Sequence, residues 1–325
     1  MNPEPSSLPS SLPASALASP LLSVIIVSFN TRDLTLRCLG TLFEDLEGIA
    51  SEVWVVDNAS QDGSVQAIRE AFAEVKVIAS ERNLGFGAAN NRALEQARGQ
   101  FLLLLNSDAF PLPGATAALL KYLQGHAEVG AVGPQLLNAD GSLQPSCWKF
   151  PSPRRAWAEA VGLAALLPEH PVFGDYFRWA HDAERRVDFV VGACVLLRRA
   201  VYEAVGGFDE SFFLYAEETD WMQRMQAAGW PVAFVPQAQV THLGGASGTS
   251  KPGLNPLFFE GQDRFIAKHF GPRGLRAFRL ANLLRALLRA VAFAAQSLVA
   301  RGEGKSRARL KMRQAIWLAR RNATS

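Results

Sequence analysis

Three of the most apolar runs in the chain each end in a polar residue. "SVIIVSFN" ends with Phe29 and Asn30, "EVWVVD" ends with Asp57, and "QFLLLLNSD" carries Asn106 and Asp108 at its end. A carboxylate at the end of a buried strand can face a ligand crevice, which avoids the cost of burying an unpaired charge. An acid in the position of Asp57 can accept hydrogen bonds from a ribose or from a base N–H group.

Each of these two acids also has a purely structural explanation. Asp108 can cap the turn before Pro111, whereas Asp57 can form a turn with Asn58 and Ser60. Taken one residue at a time, the structural and the functional explanations are equally well supported.

A glycine-containing loop, "ERNLGFGAANN" over residues 81–91, leads into a predicted helix. Backbone N–H groups at a helix start favour phosphate binding. The loop is not a dinucleotide fingerprint, because Asn90 stands where a third glycine belongs after Gly85 and Gly87. Alone, the loop does not identify a nucleotide site.

Three acids, Glu217, Glu218 and Asp220, lie at a predicted helix start after the aromatic stretch "SFFLY". Acids at a helix N-terminus are stabilised by the helix dipole, and Asp220 and Arg224 have the spacing of a structural ion pair. Aromatic residues are also typical of a cleft wall, so one of the three acids is a candidate general base facing an acceptor hydroxyl.

The elements that must position these residues alternate between strands and helices. Apolar runs predict strands at 23–29, 52–57, 75–80 and 100–106, with helices at 31–46, 63–72 and 87–98. This alternation indicates an α/β fold with a parallel sheet covered on both faces, in which ligands bind outside the carboxyl ends of the strands. In the second half we predict short strands within 130–150, a helix near 154–167, a strand pair or one long strand at 186–199, a helix at 218–230 and a strand at 231–236.

Composition bounds the class of protein. The chain is 49% hydrophobic and 19% charged, as in an ordinary soluble enzyme. The three cysteines, Cys38, Cys147 and Cys194, are far apart and odd in number, which favours a reducing, cytoplasmic setting over a disulfide framework. Residues 1–20, rich in Pro, Ser and Ala, are expected to be a disordered leader.

The C-terminal segment is basic and apolar. Residues 271–325 carry 13 Lys and Arg against one Glu, and the arginines interrupt the apolar runs, which argues against a membrane-spanning helix. Two interpretations stay open and are compatible: helices packed on the domain or on a second subunit, or an amphipathic segment on an anionic membrane surface. No base-reading motif accompanies the charge, so nucleic acid is not an expected partner.

Six segments in this order resemble the family 2 glycosyltransferases, and most closely the bacterial rhamnosyltransferase-like branch that builds cell-surface polysaccharides. They are "SVIIVSFN", "VVDNASQDGS", "NLGFGAANN", "LLLLNSD", "VGACVLLRRAVYEAVGGFDESFFLYAEETDWMQR" and "VTHLGG". The resemblance implies a GT-A fold over residues 21–270, with a basic helical tail over 271–325. It also implies an inverting transfer of a sugar, with rhamnose as a candidate, from a dTDP- or UDP-linked donor to a saccharide or polyprenyl-linked acceptor at the cytoplasmic membrane face.

The resemblance also assigns roles on the donor side. Asn106-Ser107-Asp108 stands where the family has its Asp-x-Asp motif, so Asp108 would bind a divalent metal, Mg²⁺ or Mn²⁺, and His242 in "VTHLGG" would complete the metal site. Asn106 replaces the first acid of the motif. The residues that would bind the nucleotide sugar are Phe29, Asn30, Asp57, Asn83, Gly85 and Asn106.

On the acceptor side, Glu217-Glu218 matches the family's Glu-Asp or Asp-Asp pair, whose second member is the proposed base. Glu218 is therefore the first candidate, with Glu217 and Asp220 as the others. Two rivals are a sugar nucleotidyltransferase, which would carry a glycine-rich loop after the first strand, and a sugar-nucleotide-binding module without transfer activity. "SFNTRDLTLR" contains no glycine, and the retained acids argue against the module.

Overall fold

The computed structural model describes residues 19–167, 179–244 and 255–324, together with residues 170, 173, 174 and 176. The expected leader over residues 1–20 lies outside the described residues except for its last two positions.

The first half of the chain alternates strands and helices as the sequence predicts. The strands are β1 (Leu22–Ser28), β2 (Ser51–Asp57), β3 (Lys76–Ala79) and β4 (Phe101–Asn106), and the helices are α1 (Arg32–Asp45), α2 (Ser64–Ala71) and α3 (Phe86–Leu94). The four strands are parallel, in the order β3-β2-β1-β4. Ser28 pairs with Asp57, and Val27 pairs with Asn106, so the predicted donor residues meet at one edge of the sheet.

The second half extends the sheet beyond β4, to the order β3-β2-β1-β4-β11-β6-β12-β5. Strand β11 runs antiparallel to both of its neighbours, whereas β6 and β12 are parallel to each other. The elements are β5 (Ala109–Pro111), α4 (Ala115–Gly125), β6 (Ala131–Leu137), β7 (Leu143–Gln144), β8 (Cys147–Trp148), α5 (Pro153–Ala160), α6 (Leu163–Leu166), β9 (Arg185–Val187), β10 (Phe189–Val190), β11 (Cys194–Arg198), α7 (Arg199–Val205), α8 (Glu217–Ala227) and β12 (Val232–His242).

Several predicted elements of this half differ from the structure. The region 186–199 forms three short strands rather than one long strand or a pair, because β9, β10 and β11 pair with β12, β8 and β4 respectively. The predicted strand 231–236 continues to His242, because a register shift between Val235 and Gln239 accommodates Pro236. The predicted helix near 154–167 divides into α5 and α6 at Gly162, which has a positive φ. Helices α4 and α7 and strand β5 were not predicted.

The core lies on both faces of the sheet. Ile25 and Leu104 pack in one apolar cluster, whereas Val24, Ile26 and Leu103 pack in another on the opposite face. This alternation is the strand period of two, and coverage of both faces explains why these strands are continuous apolar runs.

Two long helices follow β12: α9 (Pro256–Val299), which contains a break at Gly271, and α10 (Glu303–Thr324). Phe265, Ile266 and Phe278 of α9 pack with Ala156 of α5 and Phe212 in a third, smaller core cluster. The packing of the tail on the domain, one of the two alternatives, is therefore observed for α9. Within the described ranges, none of the helices has a stretch long and apolar enough to cross a membrane.

Candidate functional site

Strand pairing brings Asp108 and His242 together. Antiparallel pairing of β5 and β12 sets His242 opposite Ala109, and the Leu243 N–H donates to the Asp108 carbonyl oxygen at 3.1 Å. The Nε2 atom of His242 then lies 3.4 Å from Oδ1 of Asp108. Both side chains are largely buried. The two residues predicted as metal ligands, 134 positions apart in the sequence, are therefore neighbours.

The orientation of the His242 ring is set by Gln144. The Gln144 Nε2 group donates to the Asn138 side chain and to the His242 carbonyl oxygen at 3.0 and 3.1 Å, so its Oε1 accepts from Nδ1 of His242 at 2.7 Å. When the ring is neutral, the Nε2 lone pair faces Asp108. A metal-ligating histidine is oriented in this way by a partner on its other nitrogen. Sequence reasoning missed Gln144, since it lies on a two-residue strand with no motif.

These two residues fit a divalent cation that also takes ligands from a substrate. A carboxylate oxygen and an imidazole nitrogen point at one another, and the buried Oδ1 of Asn106 has no partner among the described residues. Within those residues, no group of three or more His, Cys, Asp or Glu side chains is arranged to hold a metal. Mg²⁺ commonly keeps several water molecules and binds through one or two carboxylates plus substrate phosphates, so a small protein ligand set is sufficient.

A buried hydroxyl network joins the end of β1 to the Asn106–Asp108 segment. Thr31 contacts Ser28, Thr35 and Ser107 with oxygen–oxygen distances of 3.2, 3.2 and 3.0 Å. All four hydroxyl side chains are buried. The network fixes the first βα turn against the Asn106–Asp108 segment, and single-sequence patterns gave no indication of it.

Asp57 has one carboxylate oxygen free to accept a ligand. Its Oδ2 accepts from the Ser60 N–H at 2.9 Å, which is the predicted turn. Its Oδ1 is buried and has no partner among the described residues. Because a buried, unpaired acceptor is costly, this atom fits an N–H or O–H donor of a bound nucleoside. Oδ2 of Asp57 therefore has the structural role in the turn, and Oδ1 is available for the predicted contact with a nucleoside.

Asn30 supports the neighbouring loop with a strained backbone. It has a φ of 52°, its N–H donates to the Ser60 hydroxyl at 2.9 Å, and its side-chain oxygen accepts from the Gln61 N–H at 2.8 Å. A cleft of about 310 Å³ lies over this turn and is lined by residues 30–34 and 62. The partly exposed Phe29 precedes it. The predicted base-site wall thus stands beside an open cleft.

The glycine loop is shaped by contacts within the protein. Asn83 accepts from the N–H of Gly85 and from the Asn58 side chain, both at 2.9 Å. The Phe86 N–H donates to the Phe213 carbonyl oxygen at 3.0 Å, and a Cβ added to Gly85 would lie 2.3 Å from that oxygen. The amides of Gly85 and Phe86 are thus used internally. Gly85 permits a close approach of the segment that leads to Glu217. Asn58, whose side chain connects the end of β2 to the loop through Asn83, was missed by sequence reasoning.

Glu217 and Glu218 form a pair of carboxyl groups with few partners. Burial raises the pKa of Glu217 well above its usual range, and the neighbouring Glu218 charge raises it further. Burial also raises the pKa of Glu218, although nearby backbone N–H groups partly oppose the shift. The Oε2 atoms of both residues are buried and without partners in the described part of the chain. A carboxyl group with a raised pKa suits acid–base chemistry near neutral pH.

Glu218 lies against the start of β11, on the same edge as the Asn106–Asp108 segment. A Cβ added to Gly192 would lie 3.4 Å from the Glu218 Cβ, and the next residue, Ala193, accepts at 2.9 Å from the N–H of Asn106. The structure thus brings the candidate base to the strand end that carries Asn106 and Asp108. Gly192 was not predicted as a site residue; the glycine inside an apolar strand pattern was the available signal.

The turn before Glu217 is strained. Tyr215 and Ala216 both have left-handed backbone angles, with φ of 70° and 69°. Such angles cost about 1–3 kcal/mol for each non-glycine residue and persist only where neighbouring structure enforces them. A Cβ added to Gly261 of α9 would lie 2.4 Å from the Tyr215 carbonyl oxygen, and the Asn255 side chain donates to the Tyr215 hydroxyl at 3.3 Å. Helix α9 therefore enforces this turn.

Asp220 is an anchor between α8 and α9. Its Oδ2 accepts from Nε of Arg224 at 3.0 Å, and its Oδ1 lies 2.8 Å from both Nζ of Lys268 and Nε2 of His269. The side chain is fully buried. The predicted Asp220–Arg224 pair is confirmed. With both oxygens bound to cationic or N–H groups, Asp220 is poorly placed to accept a proton from a substrate.

Comparisons with known proteins agree with this arrangement. The family model described as "Glycosyl transferase family 2" matches residues 23–206, and the model "Glycosyl transferase family group 2" matches residues 175–256. The N-acetylglucosaminyl-diphospho-decaprenol L-rhamnosyltransferase of Mycobacterium tuberculosis is 33% identical over 233 residues, which cover 68% of this chain and 75% of that protein. The chain belongs to glycosyl transferase family 2. The predicted family is thereby confirmed.

Another relative and two solved structures extend the comparison. The O-antigen biosynthesis protein RfbC of Myxococcus xanthus is 30% identical over 236 residues, which cover 69% of this chain and 17% of that protein. The mannosyltransferase PcManGT from Pyrobaculum calidifontis, in complex with GDP-Man and Mn²⁺, superposes with a TM-score of 0.57 at 20% identity, over 93% of this chain and 86% of that chain. GalNAc-T7 with UDP, GalNAc and Mn²⁺ gives a TM-score of 0.58 at 15% identity, over 84% of this chain and 51% of that chain. At such identities these structures support the fold alone, and the predicted GT-A class is confirmed.

Proposed function

We propose that this glycosyltransferase moves a sugar, with inversion, from a nucleoside diphosphate donor to a lipid-linked saccharide. The observation that carries the proposal is the common edge of the sheet, where the Asp108–His242 pair and the Glu218 carboxyl group are joined through Asn106, Ala193 and Gly192. A lipid-linked acceptor and rhamnose as the sugar are favoured by the similarity to the mycobacterial N-acetylglucosaminyl-diphospho-decaprenol L-rhamnosyltransferase. The similarity to RfbC, an O-antigen biosynthesis protein, favours a role in cell-surface polysaccharide synthesis.

On the donor side, the unpaired Oδ1 of Asp57 and the turn at Asn30 would bind the nucleoside of a dTDP- or UDP-linked sugar. Asp108 and His242 would hold Mg²⁺ or Mn²⁺, which supplies neutralisation of the negative charge that develops on the diphosphate leaving group. The unpaired Oδ1 of Asn106 is available to the sugar or its phosphates.

On the acceptor side, Glu218 would take the proton of the attacking hydroxyl as the new C–O bond forms and the bond to the diphosphate breaks. Glu217, whose pKa is raised by burial and by Glu218, would remain protonated, so that the pair carries a single negative charge. Attack on the face opposite the leaving group inverts the anomeric centre. Asp220 would act by holding α8 in place.

The tail would keep the enzyme peripheral on the inner face of the membrane. Leu280, Leu287, Val291 and Leu298 are exposed, and their spacing places them on one face of α9. Association with an anionic surface, or with a second copy of the chain, would cover this apolar face. The domain limits of 21–270 and 271–325 stay predictions; the break in α9 at Gly271 falls at that boundary.

The donor is tested by thermal unfolding with dTDP-rhamnose and UDP-linked sugars, with and without Mn²⁺. A donor at 100 times its Kd should add about 2.7 kcal/mol to the free energy of unfolding. The binding donor is then incubated with a lipid-linked N-acetylglucosamine acceptor, and the anomeric configuration of the product is determined by NMR. Transfer without inversion would contradict the proposal, and donor binding without any transfer would favour a binding module.

A further inference from the structure

A second cavity lies between α9 and α10, outside the sheet edge described above. Its volume is about 420 Å³, which is within the range of small-molecule sites. Much of its wall is aromatic, with Phe258, Phe259, Phe278 and Phe293 among the lining residues. Such walls suit a hydrocarbon chain.

The same cavity carries an excess of positive charge. Of its lining cations, Arg321 pairs with Asp263 at 2.8 Å, and Arg285 pairs with Glu159. Arg289 and Lys311, one on each helix, have no acidic partner among the described residues; Nζ of Lys311 lies 5.7 Å from the centre of the Phe293 ring. Two unneutralised cations beside an aromatic wall match a ligand with an anionic head and an apolar body.

Aromatic contacts connect this cavity to the strained turn before Glu217. The Phe258 ring meets the Tyr215 ring edge to face at 5.7 Å, and it contacts Phe259 at 5.6 Å. Phe259 in turn packs on Trp317 of α10 at 5.7 Å. Phe258 therefore both lines the cavity and contacts the turn that precedes the candidate base.

We propose that the α9–α10 cavity binds the phosphate-bearing end of a lipid chain, with Arg289 and Lys311 on the phosphate and the phenylalanines around the first hydrocarbon units. Resting on the proposed function, this makes the cavity the anchor site for the lipid of the acceptor. A free phosphate would leave the aromatic wall unused, and a neutral lipid would leave the two cations unpaired.

Binding is measured by titration calorimetry on the full chain with three probes: farnesyl diphosphate, inorganic pyrophosphate and farnesol. Farnesyl diphosphate should bind at least tenfold more tightly than either of the others, because only it uses both halves of the cavity. Equal affinity for pyrophosphate would reduce the cavity to an anion site and overturn the proposal. Equal affinity for farnesol, or no binding of farnesyl diphosphate, would overturn it as well.

Variants with matched changes in charge test whether farnesyl diphosphate binds in this cavity. Arg289→Gln with Lys311→Gln should weaken farnesyl diphosphate binding tenfold or more, because each removes a charge-assisted contact. Arg276→Gln with Arg309→Gln is the control, since it removes the same charge from exposed positions on the same two helices that do not line the cavity. Equal losses in both double variants would indicate general attraction to a basic tail and would refute the site. Ala315→Leu, which fills part of the cavity, should also weaken binding.

Kinetics separate this inference from the proposed function. With a lipid-linked acceptor, Arg289→Gln with Lys311→Gln should raise the acceptor KM and leave kcat and the donor KM unchanged. If the chain transfers no sugar, yet binds farnesyl diphosphate and loses it in this variant, the cavity assignment holds and the proposed function fails. If transfer occurs and the variant leaves the acceptor KM unchanged, the anchor role is wrong although the proposed function survives.

Discussion

The proposed donor side and the proposed base side of this site are positioned by different means. Asp57 ends β2 and Asp108 follows β4, and these two strands flank β1 in a parallel sheet, so strand register alone brings the two acids to one edge. Glu217 and Glu218 follow a turn with two left-handed residues, and that turn is enforced by α9, which begins about 40 residues later in the chain. The donor side is therefore a property of the sheet, whereas the base side depends on a helix outside it.

This difference predicts that the two sides can be damaged separately. Variants on the donor side should lose nucleotide or metal binding, whereas variants on the base side should lose transfer while the donor still binds.

Glu218→Gln should lower the transfer rate on the order of 10²–10⁴-fold, because one general base is removed. Donor binding, measured by thermal shift, should be unchanged. Asp220→Asn is the companion variant: it should lower stability, since it weakens contacts with Lys268 and His269, but transfer by the folded protein should be affected less. If Asp220→Asn abolishes transfer and Glu218→Gln has little effect, Asp220 is the base.

Asp108→Ala should abolish metal-dependent donor binding, and His242→Ala should weaken metal affinity by about 10–100-fold. Calorimetric titration of Mn²⁺ in the presence of the donor measures both effects. Gln144→Leu should show a smaller loss than His242→Ala, because it removes the acceptor that orients the ring. If His242→Ala leaves the metal titration unchanged, His242 has only a packing role.

Gly261→Ala should weaken the base side alone. The added methyl group would meet the Tyr215 carbonyl oxygen, and overpacking of this kind costs about 1–3 kcal/mol of stability. We expect slower transfer with unchanged donor affinity. Gly40→Ala in α1 is the matched control, since its Cβ would have no atom within 4 Å. If both variants behave alike, α9 does not enforce the turn.

Glu217→Gln should change how the free energy of unfolding depends on pH. Because burial raises the pKa of Glu217 above its unfolded value, its ionisation opposes folding, and its unfavourable contribution grows as pH rises from the ordinary pKa towards the raised one. The variant should therefore gain stability relative to the wild type near neutral pH and show no gain in acid. The acid limb of the transfer rate should stay in place, because Glu217 is already uncharged when Glu218 ionises and Gln is uncharged as well. Denaturant unfolding across pH, beside a rate profile, tests both parts.

The first half of the fold and the positions of the predicted donor residues follow from sequence patterns alone. The apolar runs at β1, β2 and β4 are long enough to be read as buried strands, and Asp57 and Asp108 follow from strand ends in a parallel sheet. The resemblance then supplied His242 and Glu218 as candidates, together with their roles. These features are local or carried by contiguous motifs, and so one sequence reveals them.

Tertiary contacts determine which candidate residues lie close together and which residues hold them in place. The pairing of β5 with β12 sets His242 beside Asp108, and Gln144 orients it from a two-residue strand that has no sequence signal. The contacts of Asp220 with Lys268 and His269 join α8 to α9. These contacts join residues that are far apart in the chain, and they form only after the sheet and α9 have packed. No local sequence pattern therefore indicates them.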